Sequence, residues 1–267
     1  GVSNCVNDTA TFIGGGSGNR ILSTANCSTI GGGNNNTIVA SCWSGIFSGC
    51  NNFIGANGEG KSFIGGGSGN CIPQSFLNRY ANIIGGGRNN TVSGYNAGIF
   101  GGCQNTISGT GSSDGGSFIV GGRNNTVNKV GFIGAGCFNT TSGGYSVYGG
   151  TIVGGTSNTA SGYFTFVGTG CNNNSTSTAS AIVGGVFNTA SGACSIVGGG
   201  CANKATGVYS AVLGGVNNCA SGANNFIGGG LCNISGSNYS VVVGGSGNSA
   251  TISGFVGGGS NNTNSDY

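Results

Sequence analysis

Residues 180–200 read SAIVGGVFNTASGACSIVGGG, and their order decides the fold. Two adjacent apolar residues, Ile182-Val183, run into Gly184-Gly185. Asn188 follows and opens the short segment NTASG, and then a second apolar pair, Ile196-Val197, begins the cycle again. Outward from this window the same order recurs along the chain, from Phe12-Ile13 to Phe255-Val256, and makes 16 copies. A segment this short, rich in Val, Ile and Phe and bounded by Gly, Ser and Asn, is a strand and not a helix. The unit is therefore an apolar strand, a Gly turn, an Asn, a second short strand and a Ser-Gly turn.

One Asn accompanies each copy. Asn158, Asn173, Asn188, Asn203, Asn218, Asn233 and Asn248 stand 15 residues apart at every step, whereas before Asn158 the step wanders. Residues 151–267 are thus the regular part of one array, and residues 1–150 are its irregular part with loop insertions. A period of 30 is superimposed, because Gly154, Gly184, Gly214 and Gly244 open turns with Asn four positions on, while Gly168, Gly198 and Gly228 have it five on. The spacing leaves open whether a coil takes 15 residues or 30.

A unit of this size cannot bury a core alone, but stacked copies share one. The expected fold is all-β, a parallel β-solenoid of the β-roll or β-helix type with about 16 short Gly/Asn-rich repeats. Stacked at about 4.8 Å per coil it would form a slender rod. Equivalent Asn side chains would then form a ladder of amide to amide hydrogen bonds. Successive strand residues point to opposite faces, so each apolar pair puts hydrophobic surface on both sides of its sheet. One side fills the coil, and the other needs a second wall or a neighbouring subunit.

Composition agrees and excludes several alternatives. Of 267 residues 63 are Gly, only 4% are charged, and there is no His, no Met and one Pro. Collagen needs Gly at every third position, and a disordered polymer would not be 36% hydrophobic. No apolar run is long enough for a membrane helix, and no charged and apolar leader opens the chain. The missing initiator Met fits a processed chain or an interior fragment. The basic residues Arg20, Lys61, Arg79, Arg88, Arg123, Lys129 and Lys204 are scattered, which argues against a nucleic-acid groove.

Chemistry has little to work with. The acids are Asp8, Glu59, Asp114 and Asp266, and no pair of them is placed for glycoside hydrolysis. Gly60-Lys61-Ser62 matches only the end of a phosphate loop. No enzyme, cofactor or metal is expected. The 12 Cys follow the repeat, and Cys137, Cys171 and Cys201 share one slot. They would form a disulfide ladder if that slot fell on neighbouring coils, which would place maturation outside the reducing cytosol; otherwise they are small stacked hydrophobes. Trp43, Tyr80, Tyr95, Tyr145, Tyr163 and Tyr209 lie in or beside turns, where they can stack on sugars or cover solenoid edges. An ice-binding face would need Thr-x-Thr in register, and Thr9-Ala10-Thr11 and Thr176-Ser177-Thr178 do not recur that way.

The stretches YSAVLGGVNNCASGANNFIGGG at 209–230 and YSVVVGGSGNSA at 239–250 resemble the head repeats of trimeric autotransporter adhesins, and similar repeats occur in fibre proteins of phages and large viruses. The resemblance covers most of the chain and is strongest from about residue 150. It implies a side-by-side homotrimer of left-handed parallel β-rolls used in adhesion. The Gly triplets and numerous Cys depart from the family pattern. The expected function is a structural fibre or spike on a virion or cell surface, with itself as partner, end-to-end joining as an option, and a host glycan or receptor as target. An ice-binding solenoid is the alternative, and a polysaccharide-cleaving β-helix ranks below it.

Overall fold

A computed structural model describes residues 1–58, 60–73, 81–109, 116–143 and 149–264, without the side chains of residues 56–58. The described residues form strands and turns with no helix. They belong to two compact units, one of residues 1–137 and one of residues 138–143 and 149–264.

Each unit is a parallel β-solenoid. One coil carries two short strands, the first from the apolar pair and the second directly after the Asn. Each pairs only with its counterparts in adjacent coils. In the second unit, Phe166-Val167 pairs with Ala181-Ile182, which pairs with Ile196-Val197. On the opposite side Thr159-Ala160 pairs with Asn174-Ser175, and that with Thr189-Ala190. Partners are one copy apart, so a 15-residue copy is a complete coil. At the Gly corner, single parallel bridges join Cys171 to Val186 and Val186 to Cys201.

The core lies between the two sheets of each coil. In the first unit Ile30, Ile46, Ile64, Ile84 and Ile99 of the apolar sheet face Ile21, Ile38, Ile54 and Val92 of the other, all with no exposed surface. In the second unit the apolar file is Ile152, Val167, Ile182, Val197 and Val212, but the facing file is smaller, with Ala160, Ser175, Ala190, Ala205 and Ala220. Hydroxyls fill the remaining space, as where Ser175 Oγ lies 2.8 Å from Ser180 Oγ.

The 30-residue period belongs to the outer face of the apolar sheet. Around buried Ile182 the outward neighbours are Ala181 and Val183; around Val197 they are Ile196 and Gly198; around Val212 they are Ala211 and Leu213. The larger side chain thus changes sides from coil to coil over these three, whereas around Val242 the two outward neighbours, Val241 and Val243, are equal. Gly is required where it stands, because a Cβ at Gly198 would run into the carbonyl oxygen of Leu213 on the next coil.

Irregularity is concentrated in the first unit, and the second departs from 15 residues only at its ends, with 19 from Asn139 to Asn158 and 14 from Asn248 to Asn262. Successive corner Asn residues of the first unit are 17, 16, 18, 20, 15 and 20 residues apart from Asn19 to Asn125. Part of the excess lengthens strands, as in Thr37–Ser41 and Phe53–Gly58, whose register shifts between Val39 and Ser41. Residues 74–80 and 110–115 of the two longest steps lie outside the described residues.

Because Ile182 is buried among neighbours that repeat its shape, Ile182→Ala leaves a void that an adjoining coil cannot fill. It should lower the unfolding free energy by about 2–5 kcal/mol, measured by denaturant unfolding followed by circular dichroism.

Candidate interaction surfaces

The Gly corner is built around the buried Asn. The backbone N–H of Asn203 donates to Asn188 Oδ1 at 2.9 Å. Its Nδ2 donates to the carbonyl oxygens of Gly199 at 2.9 Å and Gly215 at 2.8 Å. Its Oδ1 accepts from the backbone N–H and Nδ2 of Asn218, at 3.0 and 3.1 Å. Asn158, Asn173, Asn188, Asn218, Asn233 and Asn248 occupy the same position and repeat the backbone link coil by coil. The ladder therefore runs chiefly from backbone amide to side-chain oxygen, and amide to amide contacts such as Asn218 to Asn203 are additional. Gly185 completes the corner with φ 91°, where a Cβ would strike the Gly200 carbonyl oxygen.

The shared cysteine slot does not give a disulfide ladder. Cys171 and Cys201 flank Val186 and are two coils apart, roughly 9.6 Å by the usual strand spacing, beyond the ~7 Å Cα separation a bridge can span. Cys137 belongs to the first unit, where it pairs with Arg123. No disulfide forms among the described residues, and Cys194 and Cys232 are exposed. Burial pushes the Cys71 thiol above its ordinary range.

The candidate sugar-stacking residues separate. Trp43 is 62% exposed and Tyr163 lies at an exposed turn, whereas Tyr95 is only 5% exposed, so its ring is not available to a ligand. Tyr80 and Tyr145 lie outside the described residues, as do Glu59, Asp114 and Asp266. Asp8 serves its own turn, accepting the N–H of Thr9 at 2.8 Å and of Ala25 at 2.6 Å. Among the described residues no three of His, Cys, Asp and Glu converge, and no helix is long and apolar enough to cross a membrane.

Tyr209 joins Trp43 as an exposed candidate, and Tyr239 is an exposed tyrosine that sequence did not single out. Tyr209 and Tyr239 are 62% and 64% exposed, and both adopt left-handed backbone, φ 56° and 61°. That conformation is costly for a bulky residue. The signal available in sequence is their slot, directly before the buried Ser210 and Ser240.

The broadest apolar surface is the outer face of the apolar sheet. In the second unit it presents Val183, Leu213 and Val243, with Phe166 and Ile196 on the alternate coils. No family model and no curated protein matches the chain. In the first unit the outward residues include larger rings, and the bulk changes sides less regularly, preceding the inner residue at both Ile64 and Ile84 and following it at Ile46 and Ile99. Phe47 and Phe63 meet edge to face at 5.1 Å, and Phe100 and Phe118 stack at 6.3 Å, each pair beside a glycine, Gly45 or Gly98, that leaves them room. Contiguous exposed apolar surface is a common mark of interaction sites in general.

Removing the carboxamide with Asn203→Ala strands the Asn218 N–H and the carbonyl oxygen of Gly199, while the Gly215 oxygen keeps the Cys201 N–H. The loss should reach about 2 kcal/mol or more, at about 1–3 kcal/mol per buried group, read by denaturant unfolding. Alkylation of Cys71 should lag in the folded protein relative to the unfolded chain and catch up as pH rises, which peptide-resolved mass spectrometry can follow.

Proposed function

We propose that this protein is a structural surface fibre whose subunits associate side by side and present their edges for attachment to a host or surface. The observation that carries the reading is the outer face of the apolar sheet, exposed and in register within each unit. A catalytic solenoid has no need of such a face, whereas an assembling one does. The alternating knobs and glycine gaps suit a second copy, since a face that repeats large and small can interlock with one bearing the same repeat. The likeness to adhesin head repeats points to three copies.

The edges favour attachment. Trp43, Tyr209 and Tyr239 occupy the left-handed turn position that other coils give to Cys27, Ala179, Cys194 and Asn224, so the turn of the repeat holds their side chains out from the edge. Their rings offer the flat apolar surface that sugars and receptor loops stack upon. Scarcity of charge fits the same reading, because a charge repeated at one slot would face its own copies along the stack. An extracellular or virion surface is the setting this function implies.

Sedimentation and native mass measurement should give a stable oligomer, three copies by the adhesin likeness. Val183→Lys and Leu213→Lys, both on the outer face, should dissociate it to monomer with the β spectrum retained. A wild-type monomer at all concentrations, or lysine variants that stay assembled, would overturn the reading.

A further inference from the structure

The opposite sheet of the second unit carries a different order. Its strands turn Ala160, Ser175, Ala190 and Ala205 inward, all fully buried. The residue before each points outward, giving a file of Thr159, Asn174, Thr189 and Lys204 paired coil to coil. The residue after each gives a second file, Ser161, Thr176, Ser191 and Thr206. Their backbone N–H groups donate across the coils to Ser175, Ala190, Ala205 and Ala220 at 2.9–3.0 Å.

Six hydroxyls, those of Thr159, Ser161, Thr176, Thr189, Ser191 and Thr206, are exposed or half-exposed. None of them makes a hydrogen bond within the described residues. Each can donate one bond and accept others. Register fixes them on a grid of about 4.8 Å between coils and about 6.7 Å along a strand. Asn174 and Lys204 interrupt the first file, so the second file is the continuous one.

A ligand that satisfies these groups in turn must itself carry oxygens at both repeats. The face is uncharged apart from Lys204, which disfavours a polyelectrolyte. Crystalline polysaccharide is periodic too, but sugars are gripped by stacking on aromatic rings, and none of the outward positions of this sheet is aromatic, the exposed rings Tyr163, Phe164 and Phe187 standing at turns outside it. Ice presents only oxygens and hydrogens, at spacings close to this grid. We propose that the face formed by Thr159, Ser161, Thr176, Thr189, Ser191 and Thr206 binds ice. The inference goes beyond surface attachment and stands independently of subunit association.

Thermal hysteresis and ice recrystallisation in chilled sucrose, measured on the full chain, test this. The wild type should separate freezing from melting and hold ice grains small. Thr176→Lys and Ser191→Lys, whose side chains point outward, should raise the concentration needed for grain arrest about tenfold or more, a loss of about 1.4 kcal/mol. Val216→Lys, at the Gly corner, should not change it. Circular dichroism checks that each variant is folded, with Ser161→Lys in reserve if one is not. Absence of activity in the wild type, equal loss in Val216→Lys, or binding to chitin or cellulose without hysteresis would each overturn the proposal.

Discussion

The carboxamide of the corner Asn is the constraint on which every coil depends. It is buried, and its two N–H bonds go to a glycine carbonyl of its own coil and to one of the next, as with Gly199 and Gly215 for Asn203. Its oxygen takes the backbone N–H of the following Asn. One side chain thereby fixes the turn within a coil and the register between coils. Gly at the same corner is the other half of that device, because adjacent backbones pass too closely there for a Cβ. Neither residue works without the other, which is why both recur whatever else the repeat contains.

With register fixed, the two sheets are free to differ. The apolar sheet keeps Ile or Val inward throughout, but its partner narrows from Ile and Val in the first unit to Ala and Ser in the second. Each coil of the second unit therefore buries less hydrocarbon, and hydrogen-bonded hydroxyls such as Ser175 and Ser180 take up the space. The outer faces diverge as well. One offers hydrocarbon to another surface, and the other offers hydroxyl groups.

Most of the fold could be read from residue order, because the Gly, Asn and apolar pair each report a fixed point of the coil. The strands, their parallel pairing and one Asn per coil follow directly from that order. The 30-residue period was harder to place. It records which side of the inner residue carries the bulk, as in Val183 against Ile196, and facing cannot be assigned until the inner residue is known. The same ambiguity hid the hydroxyl grid. A search for Thr-x-Thr passes over Thr189-Ala190-Ser191, although Thr189 lies in the file of Thr159 and Ser191 in that of Ser161 and Thr176. The cysteine slot misled because equal sequence position means equal place on the coil, but not neighbouring coils. Tyr95 misled because a turn residue can be folded inward.

The 15-residue step of the second unit has a further consequence for how such a chain changes over time. Its strand pairs and corner bonds link a residue to its equivalent one coil away. Long-range order is thus assembled from links that are short in sequence, and the parallel sheet avoids the wide loop closures that slow other parallel folds. Removing residues 188–202 would bring Asn203 to the place of Asn188 with the same Gly-Asn corner on either side. Gain or loss of one coil preserves the register but inverts the alternation of large and small side chains beyond it. Only paired coils preserve both, so 30 residues is the natural quantum of growth for this solenoid even though 15 make a coil.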